Sequence, residues 1–294
     1  MSNAGLDVTL LARGARYTHI CEKGITIKNE NDNTTITVPA KAINAIPPDA
    51  KYDCIITLMR KNYALAFVQQ LSQLNWSNTH YLILGNNVMG FTEYETMLDP
   101  NRIILGFGGA SGHVEADQSV RALFRQELPM YLGNKSGTSS DILNAIQSEL
   151  AKCGIQVFIE KNIDAWLKHH AALIIPLAAV LRKTGGNIFH LSQNRDLLLE
   201  GIEGMRESMK VLKRMGYPVC PRALNIFRYV PKRILLSMLA KRLGTEKANV
   251  ALSLHASTAH EEMVLIAEEL KAVLESSKIQ TPKCDKLFNY LISR

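Results

Sequence analysis

The chain has 294 residues and a formal net charge of +7, and 47% of its residues are hydrophobic and 21% charged. This length and composition are normal for a globular protein with one large domain or two ordinary ones. The chain is long enough and apolar enough to bury a sizeable core. The basic balance suits an anionic ligand. Nucleic acid, a phosphorylated cofactor and a carboxylate substrate all remain open.

Cysteine usage and apolar runs bear on the compartment. The chain has 5 cysteines, which are dispersed and form no CxxC pair, and such a set indicates reduced thiols in a cytoplasmic protein. The longest apolar run, from Ala171 to Leu181, is interrupted by Pro176. It is too short to span a bilayer and predicts a buried helix. No basic stretch followed by an apolar run occurs at the N-terminus, so we expect no signal peptide.

Strand-like and helix-like segments alternate in the first half of the chain. Strands are predicted at residues 7–12, 25–28, 34–38, 54–58, 81–84, 103–107 and 155–159, and helices at residues 61–74 and 140–152. The second and third strands flank the Asn/Asp-rich residues 29–33, which is typical of a hairpin. The alternation predicts an α/β domain with a mainly parallel sheet.

The pattern changes near residue 160, where strand-like alternation disappears and apolar residues recur at spacings of three and four residues. Helices are predicted at residues 163–183, 193–215, 221–243, 256–277 and 283–292. The fold class is therefore an α/β domain over residues 1–160 followed by an all-α domain over residues 161–294.

One helix start is well marked. Thr258 followed by Glu261 fits the capping-box pattern. Glu262 then lies in the first helical turn, where the helix dipole favours an anion.

The first motif that bears on chemistry is AGLDVTLLARG at residues 4–14. In a Rossmann fold the second strand ends beside the adenosine ribose, where a carboxylate suits NAD and an arginine pairs with the 2′-phosphate of NADP. Asp7 begins this strand and Arg13 ends it, so Arg13 favours NADP. As a single residue, Arg13 also fits the alternative of a solvated surface arginine.

The string DVTLLARG resembles the end of the second strand in the ketopantoate reductases, which are NADP-dependent ketoacid reductases. In that family a strand, a GxGxxG turn and a helix come first, and none of the three is present here. The resemblance therefore implies a Rossmann-like NADP-binding domain whose first βα unit, about 25 residues, is missing. A gene start assigned too late, a trimmed chain and a degenerate copy are alternative explanations.

Two further segments resemble the family's nucleotide-binding strands. DCIITLMRKNYALAFV from Asp53 resembles the third such strand with its helix, which implies that Arg60 lies near the cofactor. LILGNNVMG from Leu82 resembles the strand that ends in Asn-Gly, which implies that Asn86 lies beside the nicotinamide. Asn87 replaces the glycine, and asparagine also accepts left-handed backbone angles. For Arg60 and Lys61 the alternative is a solvated loop pair.

A glycine-rich segment, GFGGASG at residues 106–112, resembles a loop found in one branch of the family. It lacks the lysine and the Ser/Thr of a P-loop, so we interpret it as a turn-rich loop.

The strongest catalytic candidate lies in DAWLKHHAALIIPL at residues 164–177. This segment resembles the family helix that carries Trp-x-Lys before an apolar run with a proline. The resemblance implies that Lys168 hydrogen-bonds the keto oxygen and donates the proton as the hydride arrives. An ammonium suits this role because negative charge develops on that oxygen. Without the resemblance, an exposed lysine on an amphipathic helix would be the default interpretation.

The second candidate is Glu262. Residues 279–282, IQTP, resemble the family's Gly-Ile-x-x-Pro turn, and counting back from them implies that Glu262 is the helix-start glutamate that binds the substrate hydroxyl. A carboxylate there would orient the substrate. The alternative is an acid that only satisfies the helix dipole.

Three positions depart from the family. Ala172 and Ile175 stand where asparagines often follow the lysine, and Val250 falls near a serine that commonly contacts the substrate carboxylate. A site without these polar contacts loses discrimination for its substrate. Hydride-transfer chemistry is therefore better supported than ketopantoate itself.

The resemblance implies NADPH-dependent reduction of a small 2-keto acid in a cleft between the domains. Ketopantoate, reduced to pantoate in pantothenate biosynthesis, is the default substrate. We expect no bound metal, nucleic acid or membrane, and a homodimer stays open. One alternative is a non-catalytic or truncated homologue that binds no dinucleotide. Another is an anion- or nucleic-acid-binding protein, suggested by the net charge and by the basic segment Arg228–Arg242, which more often forms an ordinary surface helix.

Overall fold

A computed structural model of the protein describes residues 1–74, 76–124, 129–245, 248–249 and 259–292. Its strands are β1 Thr9–Leu11, β2 Ile25–Asn29, β3 Thr34–Val38, β4 Lys41–Ile43, β5 Cys54–Leu58, β6 His80–Leu84, β7 Ile103–Phe107, β8 Ala110–Val114, β9 Val120–Phe124, β10 Met130–Gly133 and β11 Val157–Ile159. Its α-helices are α1 Gly14–Lys23, α2 Lys61–Ser72, α3 Thr92–Glu95, α4 Asp141–Lys152, α5 Ile163–Lys183, α6 Ile188–Gln193, α7 Arg195–Arg214, α8 Ile226–Tyr229, α9 Lys232–Leu243, α10 His260–Ser276 and α11 Pro282–Ile292.

The main sheet has five strands in the order β11-β10-β7-β6-β5. Strands β5, β6 and β7 are parallel, and β10 is antiparallel to β7 and parallel to β11. Tyr81 and Ile83 of β6 pack in a core with α2 and α5, whereas Leu82 and Leu84 pack in a second core with α4. Because successive side chains of a strand point to opposite faces, β6 is covered on both sides, as its continuous apolar sequence requires.

A second sheet of four strands, in the order β3-β2-β9-β8, corrects the interpretation of residues 106–112 as a loop. Only residues 108–109 of that segment lie outside a strand, because β7 ends at Phe107 and β8, which pairs antiparallel with β9, begins at Ala110. A Cβ on Gly112 would lie 2.5 Å from the carbonyl oxygen of Arg121. Glycine is therefore needed here for close approach of two strands. The predicted β2–β3 hairpin is confirmed.

Strand β5 lies at the edge of the main sheet, and β1 and β4 pair in a separate two-stranded sheet. Among the described residues, β5 has one strand neighbour, and Ile56 and Leu58 are 38% and 72% exposed. Parallel strands are normally buried on both faces. The β5 edge is therefore apolar and uncovered.

The described residues after β11 form helices and their connections, as predicted, and α5 lies at the centre against α7, α10 and α11. The helix predicted over residues 221–243 is divided into a 3-10 turn, α8 and α9. Pro231 explains the division, because proline lacks the N–H for an intrahelical bond and holds Val230 in an extended conformation. α9 buries Leu235, Leu236 and Leu243.

Helix α5 is 21 residues long and, by length and composition alone, apolar enough to cross a membrane. Its bounds are those predicted from the sequence, and the apolar run Ala171–Leu181 lies within it. In the structure 67% of its most apolar window is buried inside the protein, which makes α5 a core helix.

Candidate active site

The loop after β6, residues 85–90, belongs to the α/β domain and contacts the helical region. It lies at the carboxyl end of the parallel strands, where ligands bind in open α/β sheets. The Nδ2 of Asn86 donates a hydrogen bond of 3.2 Å to Oε1 of Glu262 on α10. At the other end of the loop, Gly90 meets Asp164 and Lys168 of α5. The two catalytic candidates therefore reach one loop.

Glu262 lies in the first turn of α10 and is 4% exposed. Its Oε1 also accepts a hydrogen bond of 3.2 Å from the backbone N–H of Lys61. The helix begins at His260, and its N-cap Ala259 makes no side-chain cap bond. Thr258 of the predicted capping box lies outside the described residues. The placement of Glu262 at a helix start is confirmed.

Lys168 is 3% exposed, so it is not the surface lysine that its helix pattern alone would predict. Its Nζ lies 2.5 Å from Oδ1 of Asp164 and 4.7 Å from the centre of the Tyr217 ring. A carboxylate and an aromatic face both stabilise a buried ammonium. Lys168 is thus held with its charge at the junction of α5 and the loop.

Gly90 is needed for this junction. Its φ is +69°, and a Cβ would lie 2.0 Å from Oδ1 of Asp164 and 3.3 Å from Nζ of Lys168. The buried side chain of Asn87 closes the loop, donating to the carbonyl of Gly90 and accepting from its N–H. The left-handed angles in this loop are at Gly85 and Gly90, so the left-handed explanation for Asn87 is wrong.

Lys61 is the residue that the sequence interpretation missed. It is 3% exposed and not part of a solvated loop pair. Its Nζ forms a close ion pair with Glu93 of α3, lies 3.4 Å from Oε1 of Glu269 on α10 and donates to Oδ1 of Asn87 at 3.2 Å. One signal was available: Glu262 and Glu269 are seven residues apart, which places two carboxylates on one face of α10.

The charges around Lys61 shift each other's proton affinities. Burial raises the pKa of Glu269, and Lys61 opposes this shift. Burial alone would lower the pKa of Lys61, but Tyr94, Glu269 and Glu93 together raise it above its ordinary value. Lys61 is therefore a fixed positive charge at neutral pH.

The two arginines predicted at the cofactor are exposed. Arg13 is the N-cap of α1 and Arg60 is the N-cap of α2, and neither makes a side-chain cap bond. A guanidinium at the positive end of a helix dipole favours phosphate. In the described structure, neither arginine joins the buried bonds of Lys168 and Glu262.

The substituted positions are apolar in the structure as in the sequence. Ala172 and Ile175 are fully buried in the helical core, and Val250 lies outside the described residues.

His169 beside Lys168 is also buried, which lowers its pKa and favours the neutral imidazole. Across the described ranges, no group of three His, Cys, Asp or Glu residues has a metal-binding arrangement.

Comparisons with known proteins agree with this architecture. The family model described as Ketopantoate reductase PanE/ApbA matches residues 1–136. No curated protein matches the chain in sequence.

Solved structures share the fold at low sequence identity. A D-mandelate dehydrogenase with NADH and anilino(oxo)acetate has a TM-score of 0.80 at 14% identity, covering 99% of this chain and 91% of that chain. For the 2-dehydropantoate 2-reductase from Geobacter metallireducens GS-15, the TM-score is 0.79 at 14% identity, with coverage of 99% and 92%. The enzyme of the same description from Porphyromonas gingivalis W83 has a TM-score of 0.69 at 16% identity, with coverage of 98% and 89%. Residues 1–136 of this chain thus match the ketopantoate reductase family, and the chain has the fold of ketopantoate reductases.

Proposed function

We propose that this protein reduces a small 2-keto acid to the 2-hydroxy acid with NADPH, with ketopantoate as the default substrate. The observation that carries the proposal is the meeting of Lys168 and Glu262 at the loop of residues 85–90. The two side chains come from different helices, and both are buried at the carboxyl edge of the parallel sheet. A proton donor and a hydroxyl acceptor beside a dinucleotide-binding edge suit ketoacid reduction.

Residues suited to the nicotinamide end and to the 2′-phosphate end of NADPH are present. Oδ1 of Asn86 is buried without a hydrogen-bond partner in the described structure, and such an acceptor suits a carboxamide N–H like that of nicotinamide. Arg13 at the start of α1 suits the 2′-phosphate, and Arg60 follows β5 at the edge of the main sheet. When bound, NADPH supplies the hydride.

Lys168 would serve as the proton donor. The ion pair with Asp164 and the ring of Tyr217 hold its Nζ in one place, so a proton is available where negative charge develops on the keto oxygen. A positioned acid of this kind contributes about 10²- to 10⁴-fold in rate.

Glu262 would orient the substrate by accepting from its hydroxyl. Its carboxylate is already fixed by the N–H of Lys61 and the amide of Asn86, so little ordering remains to be done on binding.

A homologue that folds without binding a dinucleotide is the second candidate. The uncovered β5 edge favours it, because Ile56 and Leu58 are exposed beside the strand end at which Arg60 lies. NADPH affinity separates the two candidates.

The test is NADPH binding by fluorescence, followed by turnover with a panel of 2-keto acids. It is made on residues 1–294 and on the chain extended by any in-frame upstream segment. Lys168→Ala is expected to lower kcat about 100-fold or more with little change in NADPH affinity. Lys135→Ala, which removes an exposed partner of Glu95, is the matched control. If no form binds NADPH, the enzyme proposal fails and the second candidate stands. Unchanged turnover removes Lys168 from its role.

A further inference from the structure

The ammonium of Lys61 joins two parts of the fold. Its side chain is 2% exposed and faces Glu93 of the α/β domain on one side and Glu269 of the helical region on the other. Charged side chains are rarely buried to this extent unless they are paired. Here the pairing crosses from α2 to α10.

The same residue holds α10 at a second point, through its backbone. The N–H of Lys61 binds Oε1 of Glu262, two helical turns before Glu269 on the same face. Oε2 of Glu269 also accepts from the N–H of Val88 at 3.3 Å. The first half of α10 is therefore fixed to the start of α2 and to the loop of residues 85–90.

The contacts of Lys61 extend to the other catalytic candidate. Its Nζ donates to Oδ1 of Asn87, whose side chain closes the loop onto Gly90. Gly90 in turn lies against Asp164 and Lys168. A chain of direct contacts therefore runs from Lys61 to both Glu262 and Lys168.

The charge balance shows what loss of the ammonium would do. One buried cation faces two carboxylates, Glu93 and Glu269, while Glu262 receives only neutral donors. Without the cation, the two carboxylates remain partly buried and repel each other across the junction. Such repulsion is relieved by movement of α10 away from the α/β domain, and Glu262 would move with the helix.

We propose that Lys61 is a positioning residue that fixes α10, and with it Glu262, against the loop of residues 85–90. The inference rests on the proposed function for its kinetic test and on the structure alone for its exchange test.

The exchange test compares amide hydrogen exchange in the wild type and in Lys61→Met, which keeps the length of the side chain and removes the charge. We expect exchange about tenfold faster or more at residues 260–268 and 85–90, with α11 unchanged. Lys61→Arg is expected to restore most of the protection. Lys135→Met removes an exposed lysine that also pairs with α3, and should change neither segment. Unchanged exchange in a folded Lys61→Met protein overturns the proposal.

If Lys61→Met does not fold, Glu269→Gln replaces it. This variant keeps an acceptor for the N–H of Val88 and removes the charge that faces Lys61. Faster exchange at residues 260–268 is expected, and wild-type exchange there overturns the proposal.

The kinetic test separates positioning from general stability. We expect Lys61→Met to lower kcat/KM for the keto acid about tenfold or more while NADPH affinity stays within about twofold, and Lys61→Arg to recover most of the loss. A folded Lys61→Met enzyme with wild-type kinetics contradicts the role. A wild type without turnover defeats the proposed function, and the exchange test then decides the inference by itself.

Discussion

Replacing Gly90 by alanine tests whether the loop of residues 85–90 holds Lys168 in place. The left-handed backbone at Gly90, with φ of +69°, costs an L-residue about 1–2 kcal/mol. The new Cβ would lie 2.0 Å from Oδ1 of Asp164, so that carboxylate must turn away and leave Lys168. Because the Asp164 side chain is 35% exposed, the lost ion pair adds only about 1 kcal/mol. The expected total is about 2–3 kcal/mol.

Gly154 provides the matched control. Its φ is +75°, but a Cβ at this position would meet no atom of the described structure within 4 Å beyond its chain neighbours, so alanine there has the backbone cost alone. Urea unfolding of Gly90→Ala and Gly154→Ala should therefore differ by about 1 kcal/mol. Turnover should fall about 100-fold in Gly90→Ala, because a 1 Å displacement of a catalytic group has an effect of that size, and should be unchanged in Gly154→Ala.

A double-mutant cycle identifies the contact responsible. Asp164→Ala removes the atom that the new Cβ meets, so Gly90→Ala should cost less in the Asp164→Ala background than in the wild type. Additive losses in the cycle, or full turnover by Gly90→Ala, would refute the reasoning that this loop positions Lys168.

Two more predictions concern the substrate and pH. Glu262→Gln should lower kcat/KM about tenfold for ketopantoate, and less for 3,3-dimethyl-2-oxobutanoate, which lacks its hydroxyl group; equal losses would contradict a contact between Glu262 and that hydroxyl. Hydrogen bonds from Lys28, Ser119 and Arg121 lower the pKa of Glu115 from 4.5 to about 2, so Glu115 stabilises the fold above its ordinary pKa and this contribution is lost as the pH falls toward 2. Urea unfolding between about pH 6 and pH 3 should show a smaller loss for Glu115→Gln than for the wild type, and parallel curves would exclude this role.

The elements predicted well are those whose sequence pattern is decided locally. Strand β5 was predicted with its observed bounds, because CIITL is a short run of β-branched and apolar residues. Helix α4 begins where Ser140 caps it, with the serine side chain accepting from the N–H of Leu143. Helix α5 was predicted from apolar residues that recur at spacings of three and four residues.

Two kinds of element were predicted wrongly. In one kind the structure depends on contacts that are distant in the sequence, and in the other the effect of a proline was overlooked. Gly112 belongs to β8 because the carbonyl of Arg121 lies against it, and nothing near Gly112 in the sequence indicates that neighbour. The division of residues 221–243 was within reach, since Pro231 lies inside the predicted helix and proline interrupts helical bonding.

The candidate site divides in the same way. The resemblance to ketopantoate reductases pointed to Lys168 and Glu262, and the structure adds that both are buried. Lys61 was missed because its acidic partners are Glu93 and Glu269, far along the chain in different helices. A lysine that follows an arginine at a helix start gives no local sign of burial.

Burial of charge also argues for function at this junction. In the described part of the chain, the Lys, Arg, Asp and Glu residues that are buried are Lys61, Lys168 and Glu262, and each contacts the loop of residues 85–90 or a residue bonded to it. Stability does not require this arrangement, because well-packed apolar residues often replace a buried ion pair without loss. Ala172 and Ile175, on the helix that carries Lys168, are examples of buried positions that are occupied by apolar residues. Buried charges gathered around one loop at the carboxyl edge of a parallel sheet are what the proposed reaction would require, because it needs a positioned proton and a fixed carboxylate.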